Sequence, residues 1–186
     1  MKNRRQMVCW MVVVAAGLVG CSDQDEKLAA ENAELQQQIA ELKKQPAPPG
    51  IDIWQASVEG HLDVVKQHLA AGANIDTPFV LPGIPGSGGS PLHLAALGNQ
   101  PEVAAYLIKE GADLENPAQD EHGGTPLHWA AFAGNVEVIK MLLEAGAKIN
   151  ATDKNGATAI DAAVVGQKIE AGGLLKQHGG NSGSEL

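Results

Sequence analysis

The sequence predicts an all-α repeat solenoid of about four helix–turn–helix units with connecting loops, set behind an apolar leader and a short helical stalk. Three observations predict it. A seven-residue phrase returns along the chain: Ser90-Pro91-Leu92-His93-Leu94-Ala95-Ala96, then Thr125-Pro126-Leu127-His128-Trp129-Ala130-Ala131, and in weaker form Thr158-Ala159-Ile160-Asp161-Ala162-Ala163-Val164. A Gly-Ala pair closes the units in the same phase, at Gly72-Ala73, Gly111-Ala112 and Gly146-Ala147, and as Gly179-Gly180 in the last. The third is composition: 44% of the residues are apolar but only 3% are aromatic. Much of the apolar content is alanine, which brings helices close together and builds a thin core, as repeat arrays do, rather than a deep pocket.

The first element, residues 1–20, reads as a leader. Lys2, Arg4 and Arg5 precede an apolar run from Met7 to Gly20. A membrane-spanning helix needs roughly 20 apolar residues, so the run fits the charged and apolar regions of an export signal better than a span. It ends in Leu18-Val19-Gly20-Cys21, which resembles the lipobox of bacterial lipoproteins. That resemblance implies cleavage before Cys21, diacylglycerol on its sulfur and acylation of its amine. Cys9 would leave with the leader and Cys21 would be lipidated, so the mature chain would hold no free thiol and no disulfide. In the same family an Asp directly after the cysteine retains a protein in the inner membrane. Ser22 stands there, with Asp23 next, which implies the outer membrane, facing the periplasm. The net charge is −9 at pH 7 and becomes more negative without the leader. Such a body argues against nucleic acid and against electrostatic docking on anionic lipid. Several acyl chains would hold it on the membrane instead.

Residues 21–45 comprise the lipidated Cys21 and a polar helical stalk. Leu28, Leu35 and Leu42 recur every seven residues, and Asp25, Asn32 and Ile39 fall at the other seam position. Over residues 23–45 this is either a two-stranded coiled coil, giving a homodimer with Asn32 fixing the register, or a monomeric helical stalk of marginal length. Pro46-Ala47-Pro48-Pro49-Gly50 stops any helix, and residues 46–50 form a stiff extended linker. At the other end, residues 181–186 are predicted to be a disordered tail.

Between them, residues 51–180 carry the repeats. Ser90 and Thr125 are suited to cap a first helix, and the proline that follows each has no amide to leave unpaired there. A second helix shows apolar pairs one turn apart: Val103, Ala104, Leu107 and Ile108, then Val138, Ile139, Leu142 and Leu143. That spacing makes one buried face. Gly111 and Gly146 stand just past the helix end, where a left-handed residue is wanted. This pattern closely resembles the ankyrin repeat, down to the Thr-Pro-Leu-His core. The first unit has Ile51-Asp52-Ile53-Trp54 in that place, and the last has Ala159 and Asp161 for Pro and His. Atypical end units are expected of caps.

Several residues invite chemical readings. His93 and His128 share one repeat position, and the resemblance implies a structural role for them, hydrogen-bonding around the turn with Ser90 and Thr125. His61 and His68 stand seven apart with no cysteine or carboxylate cluster beside them, too far for one metal. The run Gly83 to Gly89 lacks the Lys-Ser/Thr of a phosphate loop. No residue set combines nucleophile, base and oxyanion donors, so no catalysis, cofactor or metal is predicted. The resemblance implies instead that partners are bound by the loop tips and by the positions just after the Ala-Ala pair, here Val58, Leu97, Phe132 and Val165. All four are apolar, and the row is either a partner-binding face or packing between units. The first loop, 77–88, makes its unit 39 residues long against 35 and 33 for the next two. Its Phe79 and Leu81 are either folded onto the neighbouring loop or used for contact. The expected function is a membrane-tethered scaffold or adaptor for an unidentified envelope protein. An immunity or inhibitor protein blocking a specific enzyme, or an envelope stress-protection factor, is the alternative.

Overall fold

The protein is described here from a computed structural model, which covers residues 50–80 and 87–186; all lie in the compact unit Pro46–Leu186. The leader, Cys21, the stalk of residues 23–45 and Leu81 fall outside the described residues.

Eight α-helices follow in four pairs among the described residues: α1 (Ile53–Glu59) with α2 (Leu62–Ala70), α3 (Pro91–Leu97) with α4 (Pro101–Lys109), α5 (Pro126–Ala133) with α6 (Val136–Glu144), and α7 (Ala159–Val165) with α8 (Ile169–Gln177). The first helices of successive pairs stack on one another, α1 on α3 on α5 on α7, and the second helices form a parallel layer behind them. One continuous core runs through the stack. Ala95, Ala96, Ala130 and Ala131 are fully buried where first helices meet, and Val103, Leu107, Val138 and Leu142 are fully buried where second helices back onto them. Alanine at the first contact lets helices of only seven or eight residues approach closely. No such helix would be stable alone, so its stability comes from its neighbours.

The second, third and fourth pairs are each preceded by a looped finger pinned by a backbone bond: Phe79 N to Gly89 O, Ala118 N to Gly124 O and Asp153 N to Ala157 O. Fingers are tied to one another by Gln119 N to Gly88 O and Lys154 N to His122 O. Side-chain amides stitch the helical layer. Gln100 Nε2 donates to Val58 O at 3.1 Å, and Asn135 Nδ2 donates to Ala96 O and Leu97 O at 2.6 and 3.0 Å. These occupy carbonyls at a helix C-terminus that would otherwise lack a partner. Contact here leaves no room for a side chain at Gly98 or Gly166, where an added Cβ would come within 2.2 Å of Val58 O and 2.1 Å of Phe132 O.

The last unit ends the stack in an unexpected way. Residues 181–186, predicted to be disordered, instead close in a 3₁₀ turn at Gly183–Glu185. Asp161 Oδ2 accepts from Gly183 N at 2.7 Å, Thr158 Oγ1 donates to Asn181 O at 2.7 Å, and Lys176 pairs with Glu185 at 2.9 Å. The glycine and serine content made this segment read as free chain. Its order comes from polar groups at the start of α7, which bind it. The outer edge of α7 and α8 stays apolar and open: Val164 is 69% exposed, whereas Ala96 and Ala131 at the same repeat position are fully buried.

Candidate functional site

The two phrase histidines are buried and spent on structure. His93 Nδ1 accepts from Ser90 N at 3.1 Å and lies 2.8 Å from Ser90 Oγ, so Nδ1 carries no proton and the hydroxyl donates to it. Nε2 therefore bears the hydrogen and donates to Gly124 O of the next finger at 3.0 Å. His128 repeats the set with Thr125 and with Ala157 O. Burial lowers His93 to about 4, against the smaller opposing pull of the Gly124 carbonyl and the Asp120 charge; burial likewise lowers His128. Ser90 and His93 resemble a nucleophile–base pair in spacing, but they are 1% and 0% exposed and every polar atom of the ring is engaged. His61 bonds Glu59 and His68 bonds Ile51 O. Among the described residues no group of three potential metal ligands converges.

A groove of about 530 Å³ opens between the first-helix layer and the fingers. Leu97 of α3, Trp129 and Phe132 of α5, and Val165 of α7 form its helix wall. Trp129 and Phe132 are three residues apart and so share a helix face. The Trp129 ring is held edge-on against His93, 5.2 Å between centroids. The opposite wall is polar, with Asp120 and His122 from one finger and Asp153 and Asn155 from the next, and Asp161 at the start of α7. Asp120 Oδ1 accepts from His122 N and Gly123 N, and Asp153 Oδ1 accepts from Asn155 N and Ala157 N. Each carboxylate thus shapes its own finger turn through one oxygen. Among the described residues no lysine or arginine lines the groove.

The predicted row is therefore placed unevenly. Leu97, Phe132 and Val165 line the groove, 38%, 48% and 73% exposed. Val58 is half-buried and does not line it; the groove begins one unit later, at Leu97. Phe79 is half-buried against Trp54, ring centroids 5.4 Å apart, while the Trp54 indole N–H donates to Thr77 O at 2.8 Å. Phe79 thus packs on α1 and not on a neighbouring finger. Sequence reasoning missed Trp129, Asp120 and Asp153. Asp120 and Asp153 recur 33 residues apart, five before the threonine that opens α5 or α7, and that shared phase was the available signal.

A family model for ankyrin repeats, in three copies, matches residues 53–153. The fourth helix pair lies beyond that match and is assigned by the continued stacking of α7 on α5 and α8 on α6. No curated protein matches the chain.

Proposed function

This chain belongs to the ankyrin-repeat family, and on that premise we propose that it is a lipid-anchored adaptor of the bacterial envelope whose groove receives a second protein. Ankyrin repeats generally mediate protein–protein interaction. The observation that supports the groove as the receiving surface is the exposed row of Leu97, Phe132 and Val165 along it. Apolar side chains aligned on an open face cost solvation that a monomer gains nothing from, and such patches mark interaction sites. Phe132 stands at the centre, between the neighbouring units, where a large aromatic contact tends to dominate binding.

The anchoring half of the reading rests on the basic start, the apolar leader and the Leu18-Val19-Gly20-Cys21 end. Cys21 carries the lipid, Ser22 directs the protein to the outer membrane, and the repeats face the periplasm. Two experiments test the two halves. Cys21→Ser is expected to move the protein out of the membrane fraction and to stop acyl labelling; a variant that stays with the membrane refutes the anchor. A photo-crosslinking amino acid at position 132 is expected to capture one envelope protein that the same probe at exposed Glu137 does not. Equal labelling from both positions, or none from 132, refutes the groove as the receiving surface.

A further inference from the structure

We infer that the groove takes an extended polypeptide segment that is both basic and apolar, its Lys or Arg side chains lying against Asp120 and Asp153 while an apolar side chain between them seats on Phe132. The inference rests on the proposed protein-binding role and adds the chemistry of the partner.

Both walls point to it. The helix wall offers Leu97, Phe132 and Val165, all exposed. The finger wall offers carboxylates with spare capacity. Asp120 and Asp153 each commit Oδ1 to their own turn, and Oδ2 of each takes no hydrogen bond among the described residues. Among the described residues no lysine or arginine lines the groove to answer them. Lys154 lies on the same finger as Asp153, but its ammonium is held on the Asp120 carbonyl oxygen at 2.6 Å. His93 and His128 beneath are kept neutral by burial and add no positive charge near pH 7. The wall therefore carries three carboxylates, Asp120, Asp153 and Asp161, against the single ammonium of Lys154 at its edge, an excess of negative charge opposite an apolar stripe that favours basic partners over acidic ones.

Spacing adds a constraint. Asp120 and Asp153 sit at equivalent places in successive units, and packed helices are about 8–10 Å apart. An extended chain covers that distance in about three residues, and in a polyproline-II segment every third side chain returns to the same face at about 9 Å. Two basic residues three apart, with an apolar residue between them on the other face, match the two walls together.

The test is selection from a phage-displayed random dodecapeptide library on the full chain, followed by titration of the enriched peptide. Lys or Arg beside Leu, Phe or a similar residue is the expected enrichment. Asp120→Asn with Asp153→Asn keeps Oδ1 for both turns and removes only the charge. Exposed pairs at such a rim are individually weak, so binding is expected to weaken about tenfold in the double variant. It should also weaken as NaCl is raised with the unaltered protein, a readout that needs no variant. Enrichment of acidic or uncharged peptides, no enrichment, or binding indifferent to both the double variant and salt overturns the inference. If Phe132→Ala still weakens such binding, the basic partner fails while the groove stands; if Phe132→Ala has no effect either, both fail.

Discussion

Buried His93 makes the stack acid-labile well above the pH at which carboxylates titrate. The ring is neutral in the folded protein because burial lowers it to about 4, whereas in the unfolded chain it returns to about 6.5. A folded-state value below the unfolded one means that the unfolded chain binds the proton first as pH falls. The contribution to stability is complete above about pH 6.5 and is lost progressively down to about pH 4. A difference of about 2.5 units corresponds to about 3 kcal/mol over that window, of which about 2 kcal/mol is gone by pH 5. His128 adds to the loss in the same direction. The geometry gives the same sign: a proton on Nδ1 would face the Ser90 N–H that now donates to it. Urea unfolding at pH 7.5, 6 and 5 measures the slope, and His93→Gln separates this residue from the carboxylates. The variant is less stable at pH 7.5, having lost the bond to Gly124, but its stability declines less steeply toward pH 5. Parallel slopes for the two proteins, or an NMR titration of His93 with a midpoint near 6.5, would refute the reasoning.

Three further outcomes follow from the packing. Phe132→Ala removes a half-exposed ring and is expected to cost only about 1 kcal/mol, whereas Leu142→Ala, fully buried between α6 and its neighbours, costs about 2–5 kcal/mol; thermal melts of both distinguish a surface row from a core. Gly98→Ala pits two effects against each other. Its φ of −76° is ordinary helix, where alanine is favoured by up to about 1 kcal/mol, but the new Cβ meets Val58 O and overpacking costs about 1–3 kcal/mol, so a net loss is expected in urea unfolding and a gain would show that units one and two can separate. Asp161→Ala removes the acceptor that holds Thr158 and Gly183; it should cost about 1 kcal/mol as a lost cap and speed hydrogen exchange of the Gly183 amide, with unchanged exchange refuting the tail contact.

What the sequence made legible was local. The phrase phase, the prolines at the starts of α3 and α5, and the apolar pairs of α4 and α6 all depend on neighbours within one turn, and all are where their spacing puts them. Three members of the exposed row were legible for the same reason, since position in the repeat fixes which way a side chain leaves the helix. The rest depends on partners far along the chain. The Val58 carbonyl is taken by Gln100 from the next unit, Phe79 is seated by Trp54 from 25 residues earlier, and the finger carboxylates matter only because α5 and α7 set apolar side chains opposite them. No window of a dozen residues contains those pairs. The tail misled for a related reason: glycine and serine describe what a segment does alone, whereas Asp161 and Thr158 give it something to bind.

One repeat position links the regular units to the irregular ends. In the second and third units it holds His93 and His128, each donating through Nε2 to a carbonyl of the following finger. The first unit has Trp54 there, and its indole N–H donates in the same forward direction, to Thr77 O. Trp and His share little beyond a planar ring with an N–H at its edge, and that is the property the position requires when another unit follows. After the fourth pair the next segment is the tail, which closes on α7. The backbone group offered to that position is then the Gly183 amide of the tail, a donor, and an acceptor is needed in place of a donor. Asp161 supplies it. Burial pulls this carboxyl upward, but the hydrogen bonds from the Thr158 and Gly183 amides outweigh burial and hold it below its ordinary value, so it remains an ionised acceptor near pH 7. The departures from the repeat pattern at Trp54 and Asp161 are thus one rule applied to different neighbours: the side chain follows the hydrogen-bonding sense of whatever chain comes next.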